Sequence, residues 1–252
     1  GNPQTIDFTG KRVGVIGTGA TGVQIIPIAA QSAQDLFVFQ RTPNWCTPLG
    51  NMPLEKDEMD LIRKRYPTIL EYVKSTPTAF PYHRDTRKGT EVSEPEREAF
   101  FEQLYNQPGY GIWLSSFRDL LLSKESNKFL ADFIAKKIRQ RVTNPAIAEK
   151  LIPTDHPFGA KRVPMETNYY EAYNQANVHL IDIKDGPIQH FTPGGIVTAD
   201  GVYDLDVIIF ATGFDAVTGS LDRIDITGKN GQRLKDAWAD GPSTFLGLQA
   251  RG

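Results

Sequence analysis

Glycines at positions 17, 19 and 22, in the run Gly17-Thr18-Gly19-Ala20-Thr21-Gly22, have the Gly-x-Gly-x-x-Gly spacing that lets backbone N–H groups approach a pyrophosphate. The spacing is weak by itself, because glycines punctuate any tight turn. It gains force when a strand precedes it and a helix follows, since the helix N-terminus then adds its dipole to the amide donors. The hydroxyls of Thr18 and Thr21 are further candidate donors. Gly22 is followed by Val23 and Gln24, not by the Lys and hydroxyl residue of a P-loop, which excludes that reading. Two alternatives remain: a dinucleotide-binding loop, or a purely structural strand-to-helix turn.

Arg41 and Thr42 stand about 20 residues beyond the glycines, where an acid would accept from a ribose 2′-hydroxyl and a cation would accommodate a 2′-phosphate. A guanidinium there, with no competing acid, points to NADP(H) over NAD(H). The alternative is a solvated strand-end arginine. A second pair, Lys161-Arg162, follows a glycine loop beginning at Phe158. Lys161 could add charge at the phosphate, and Arg162 could face a redox centre as a permanently protonated partner for a developing anion. From spacing alone a solvated dibasic loop is an equal alternative.

Other chemistry is thinly represented. The four histidines are scattered, none in His-Glu-x-x-His or Cys-x-x-Cys spacing, so no metal site is predicted. Gly-x-Ser-x-Gly is absent, and no tyrosine has a lysine four residues later. Cys46 lies beside Trp45 among prolines, with no cationic helix terminus to depress its pKa, and is expected to be inert.

The elements that must position these residues follow from periodicity. Residues 11–16 form a β-branched run read as a buried parallel strand, 23–33 a helix that an unexplained interior Pro27 should bend, and 36–39 a second strand. Prolines at 43, 48 and 53 disfavour regular structure and mark an exit. Residues 54–74 and 94–150 then have helical periodicity, with Phe129, Phe133, Ile134 and Ile138 on one face. The charge runs at 94–102 and 136–141 read as solvated helix faces. After Pro153 come the glycine loop, a tyrosine-rich helix near 166–175 and a strand at 178–183. Short strands around Ile188 and Ile196 follow, and then a buried strand at 206–210 leading into Ala211-Thr212-Gly213. The fold class is α/β, a Rossmann-like parallel sheet with an inserted α-helical subdomain. Residues 1–43 and 151–213 make the nucleotide half, 44–150 the insertion, and 214–252 a linker of little periodicity.

Composition narrows the partners. The 252 residues carry 28 Lys+Arg against 30 Asp+Glu, a net charge of −2, and 40% hydrophobic residues. That balance offers no electrostatic case for nucleic acid or an anionic membrane. One cysteine, no apolar run near the roughly 20 residues of a membrane span, and a polar N-terminal stretch without a secretory leader lead to the expectation of a cytoplasmic protein.

Four phrases, Gly10 to Gln24, Phe37 to Pro43, Gly159 to Arg162 and Phe210 to Asp215, together with Trp238 to Gly247, resemble flavin-dependent Baeyer-Villiger monooxygenases, and among these the enzymes of bulky cyclic ketones. The resemblance covers essentially the whole chain. It implies an enzyme in which FAD takes hydride from NADPH and activates O2, so that a ketone becomes an ester or lactone. Carried over, Gly17, Thr18, Gly19, Ala20, Thr21, Gly22, Val23 and Gln24 would cradle the pyrophosphate, and Arg41, Thr42 and Lys161 would hold the 2′-phosphate. Arg162 would be the catalytic cation. Thr212 and Gly213 would form, with Ala211, the cofactor-side turn back to the flavin domain. Departures from the family are as informative: a second Gly-x-Gly-x-x-Gly for FAD, a Phe-x-Gly-x-x-x-His-x-x-x-Trp stretch and a closing C-terminal segment are missing. With no initial Met and an abrupt Arg251-Gly252 end, the chain is expected to be the NADPH-binding domain and helical insertion of a larger protein. FAD would then be bound mainly by another domain of the same parent, with ketone and O2 as small-molecule partners. A flavin N- or S-oxygenating enzyme and a non-catalytic NADP-binding module are the alternatives.

Overall fold

β1 (Arg12–Ile16) runs through the glycine loop into α1 (Ala20–Ala30), which returns to β2 (Asp35–Gln40). The computed structural model describes residues 6–76, 78–214, 218–247 and 249–250. It contains two compact units, one ending at Ala211 and the other beginning at Thr212. Asp215 of the matched phrase, and the termini Gly1, Arg251 and Gly252, lie outside the described residues.

In the first unit β3 (Thr47–Pro48) precedes the helices α2 (Lys56–Ser75), α3 (Glu94–Tyr105), α4 (Gly111–Leu114), α5 (Lys124–Arg141) and α6 (Pro145–Leu151). Then come β4 (Met165–Glu166), α7 (Tyr169–Ala172), β5 (Val178–Asp182), β6 (Ile188–Thr192), β7 (Gly195–Thr198), β8 (Val202–Asp204) and β9 (Val207–Phe210). The central sheet is parallel in the order β5-β2-β1-β9. The side chains of β1 and β2 alternate between two clusters, as the two-residue strand period requires. Val13, Val15, Leu36 and Val38 pack with Val23, Ile26 and Ala29 of α1. On the other face, Ile16 and Phe39 pack with Ile196 and Tyr203 of the antiparallel β6-β7-β8 meander and with Leu205 just after it. Gly14 marks how closely that meander sits, since a Cβ there would lie 2.6 Å from Leu205 Cδ1.

Helices between β3 and β4 share the first cluster. Phe101, Leu104, Phe133, Ile134, Ile138, Ala148 and Leu151 are all continuous with the core under the sheet. Ser123 caps α5 by accepting from the Ser126 N–H at 3.2 Å, and the helix buries one face of Leu130, Phe133, Ile134 and Ile138.

Several expectations need correction. α1 begins three residues earlier than its apolar period, directly on the glycine loop, and runs unbroken through a buried Pro27. The tyrosine-rich helix is a single turn, Tyr169–Ala172. Within the proline-rich stretch, β3 pairs in parallel with β4. The strand expected to be buried, β9, is an edge whose Phe210 is 61% exposed; a β-branched run signals burial, but its place in the sheet order is set by remote residues. The charge run at 136–141 is not uniformly solvated either, because the Lys137 and Arg141 side chains are only 16% and 20% exposed.

The second unit holds the short helices α8 (Gly219–Asp222) and α9 (Leu234–Ala237). It also has isolated bridges Thr227–Arg233 and Phe245–Gln249.

Candidate functional site

The glycine loop gives each glycine a different job. Gly17 has φ +103°, a left-handed conformation favouring glycine, and its N–H donates to Phe39 O at 2.9 Å. A Cβ on Gly22 would collide with the Gly17 carbonyl oxygen, so the third glycine permits close packing of helix on loop. Gly19 is exposed, and a Cβ placed there would meet nothing within 4 Å. It is the N-cap of α1, and no side chain caps that helix. The first-turn N–H groups of α1, Ala20 and Thr21 among them, therefore face an open cradle with donors to spare. Gln24 is exposed one turn on. Val23 instead turns its side chain into the core and gives its N–H to Gly19 O at 2.9 Å.

Thr18 is buried, and its hydroxyl donates to Thr42 O at 3.1 Å. Its proton is thus spent on joining the glycine loop to the segment after β2. That segment is laced to a second loop. Asn44 Nδ2 donates to Arg162 O at 3.2 Å, the Trp45 indole N–H to His156 O at 3.1 Å, and Thr47 N–H to Pro164 O at 3.1 Å. The lacing brings Arg41, Thr42, Lys161 and Arg162 onto neighbouring loops beside the glycine cradle. Asn44 was not singled out from the sequence, since its partner lies far along the chain.

The second loop is shaped from beneath. The buried Asn127 of α5 donates to Phe158 O at 2.8 Å and accepts from Phe158 N at 2.9 Å. Gly159 has φ +80°, and a Cβ there would lie 2.8 Å from Leu121 and 3.3 Å from Trp113 Nε1. The two cations that follow differ. Lys161 Nζ lies 3.6 Å from Asp155 Oδ2. Arg162 is exposed, and neither it nor Arg41 has a side-chain hydrogen bond or ion pair among the described residues. The His156 hydrogen bond, with Lys161 nearby, holds the Asp155 carboxyl below its ordinary range.

Ala211, in the same unit, donates its N–H to Ile16 O at 2.9 Å and is buried beside the start of the glycine loop. Thr212 and Gly213 fall in the second unit, where Gly213 has φ +96°.

Arg141, which the sequence placed in a solvated run, is the centre of a largely buried cluster. It makes paired hydrogen bonds to Glu166 at 2.7 and 3.1 Å and to Glu171 at 2.6 and 2.7 Å, and another to Tyr105 Oη at 3.0 Å. Burial opposes its charge, but these bonds raise its pKa further. Cys46 is 1% exposed, and burial with the nearby Glu166 pushes its thiol well above the ordinary range, so it stays protonated. Among the described residues, no group of His, Cys, Asp or Glu could hold a metal ion. Nor is any helix among them long and apolar enough to cross a membrane.

No protein-family model matches the chain. The chain is 79% identical over all 252 residues to the 2-oxo-Delta(3)-4,5,5-trimethylcyclopentenylacetyl-CoA monooxygenase of Pseudomonas putida, covering 46% of it. It is 40% identical over 249 residues to the cyclopentanone 1,2-monooxygenase of Comamonas sp. (strain NCIMB 9872), covering 98% of this chain and 45% of that enzyme. Among solved structures it matches OTEMO in complex with FAD and NADP, with TM-score 0.98 and 79% identity, over 100% of this chain and 47% of that one. The chain spans about half the length of the curated relatives it matches. The resemblance to Baeyer-Villiger monooxygenases thus holds across the whole chain, and the α/β fold is the one found in their structures.

Proposed function

We propose that this chain is the NADPH-binding part of an FAD-dependent Baeyer-Villiger monooxygenase that converts a cyclic ketone to an ester or lactone with O2. Its setting would be the cytoplasm, and the rest of the parent protein would supply most of the FAD site. Residues 1–43 and 151–213 form the nucleotide half in this reading, 44–150 the helical insertion, and 214–252 the return toward the flavin domain. By itself the chain would bind nucleotide and oxygenate nothing.

The cradle fits a dinucleotide. The open side of Gly19 and the uncapped α1 N-terminus offer amide donors to a pyrophosphate, and a larger third residue than Gly22 would close the loop on itself. When bound, NADPH supplies hydride and FAD supplies the oxygen-activating chemistry. Arg41 forks onto the 2′-phosphate as a planar, always-charged donor, Thr42 frames it, and Lys161 adds a second cation. By the family resemblance, Thr212 and Gly213 would make the turn back toward the flavin domain. Arg162 stabilises negative charge developing on the reacting oxygen atoms without a proton transfer of its own. Such a role requires a guanidinium uncommitted to any internal carboxylate.

The observation that carries this reading is the Asn44 hydrogen bond to Arg162 O, made from the segment that Thr18 also ties to the glycine cradle. It joins the unpaired arginine to the nucleotide loop. The test uses the full-length protein that contains this chain, assayed for NADPH- and O2-dependent conversion of a cyclic ketone to its lactone. Arg162→Ala should lower turnover by at least about 100-fold, the scale of losing one charge-stabilising donor, while NADP+ affinity stays within about twofold. Oxygenation retained by that variant, or oxygen delivered to amines or sulfides but never to ketones, would sink the assignment.

A further inference from the structure

Lys161 and Arg41 are the two cations assigned to the 2′-phosphate, and they wait for it in different states. Arg41 is exposed and has no ionic partner among the described residues. Lys161 is already engaged, its Nζ 3.6 Å from Asp155 Oδ2, with the two side chains 47% and 39% exposed.

Asp155 is not a freely rotating surface acid. Its Oδ1 lies 2.6 Å from His156 Nδ1. The His156 side chain is 8% exposed, and its Nε2 is buried without a partner, so the ring proton belongs on Nδ1, where the carboxylate accepts it. His156 is itself anchored, its carbonyl accepting from the Trp45 indole. One carboxylate oxygen is therefore fixed by the imidazole and the other is left for Lys161. A 2′-phosphate that reaches Lys161 must share the ammonium with Asp155 or displace it, and it meets a like charge in doing so.

We propose that Asp155, oriented by His156, is a positioning residue that competes with the nucleotide's 2′-phosphate for Lys161. It orders the flexible ammonium before binding and limits how tightly the phosphorylated nucleotide is then held. This rests on the assignment of Lys161 to the 2′-phosphate. A half-exposed ion pair shifts an equilibrium by no more than about fivefold, which sets the size of the expected effect.

The test is titration calorimetry of the full-length protein with NADP+ and NAD+, which differ only in the 2′-phosphate, using Asp155→Asn, Lys161→Ala and the double variant. Asparagine keeps the shape of the side chain and an acceptor toward His156 while removing the charge. Asp155→Asn should tighten NADP+ about two- to fivefold and leave NAD+ unchanged. That gain should vanish in the Lys161→Ala background and shrink as salt is added. NADP+ binding that is unchanged or weaker in Asp155→Asn overturns the competition, as does equal weakening of both nucleotides, which would mark a structural role. A gain that persists without Lys161 also overturns it, because Asp155 would then act as a general repulsive charge. If Lys161→Ala leaves the NADP+ to NAD+ preference intact, the underlying assignment of Lys161 is what has failed.

Discussion

The Arg141 cluster and the Lys161-Arg162 loop place equally permanent charges in opposite surroundings. Arg141 is four-fifths buried and surrounded by Glu166, Glu171, Tyr105 and the face of Tyr170. Arg162 is exposed, and the loop holds it through its backbone carbonyl alone. A buried guanidinium needs its carboxylates, because desolvation would otherwise expel the charge. One that serves an external anion must leave its donors unspent. The difference teaches how to read an arginine: its partners, more than its charge, separate a structural role from a binding one. Lys161, with one carboxylate at 3.6 Å, stands between the two.

The largest effect expected from this contrast is on stability. Arg141→Ala would leave Glu166, whose side chain is 0% exposed, as an uncompensated buried charge, a loss of about 3–5 kcal/mol. Urea unfolding of the full-length protein measures it, and a change below about 1 kcal/mol would break the contrast. The cluster also has a pH signature. Burial raises the Glu171 pKa, but its bonds to Arg141 lower it more, to a net position below the ordinary 4.5. A carboxyl with a depressed folded pKa contributes stability that is fully present above 4.5 and lost as pH falls through the folded value. Arg141→Ala should therefore flatten the acid limb of the stability curve.

The candidate site residues that are legible in the sequence are those written locally. The glycine spacing, the cation closing β2 and the dibasic pair each lie within a few residues of the strand or turn that gives them meaning. What is written across distance is not legible there. Arg141 and Glu166 are separated by 25 residues, and Asn44 and Arg162 by 118. No helical period distinguishes Arg141 from its solvated neighbours in the 136–141 run. A β-branched run like Val207–Phe210 reports strand formation, yet its edge position depends on the order β5-β2-β1-β9. Thr18 was readable as a phosphate donor because hydroxyls beside glycines serve that purpose. Only the fold reveals that its proton goes to Thr42.

A smaller effect sharpens the comparison from the loop's side. Asn44→Ala removes the one side-chain hydrogen bond to the Arg162 backbone and should cost about 1 kcal/mol. Because the Asn44 Oδ1 is already buried without a partner, the loss concerns the donated bond alone. The kinetic readout separates positioning from packing: ketone turnover in the full-length protein should fall while NADP+ affinity is retained. Parallel losses in both would mean that Asn44 supports the cradle generally and does not orient the cation.

The smallest effect is the most telling. Arg162→Ala deletes a guanidinium that has no hydrogen bond or ion pair among the described residues, while the bond from the Asn44 side-chain amide to its backbone carbonyl survives the substitution. Neighbouring Val163 is buried, and Pro164 O still accepts from Thr47 N–H, so the loop keeps its anchors on the following side. Unfolding free energy should then change by less than about 0.5 kcal/mol, as for surface substitutions without special contacts. The sign is also informative, since removing one positive charge from the Lys161-Arg162 pair relieves like-charge repulsion and favours a slight gain at low salt. A loss above about 1 kcal/mol would show that Arg162 is held by the fold after all. It would then stand with Arg141 as a structural charge, and a drop in turnover on its removal could no longer be credited to the chemistry at the reacting oxygens.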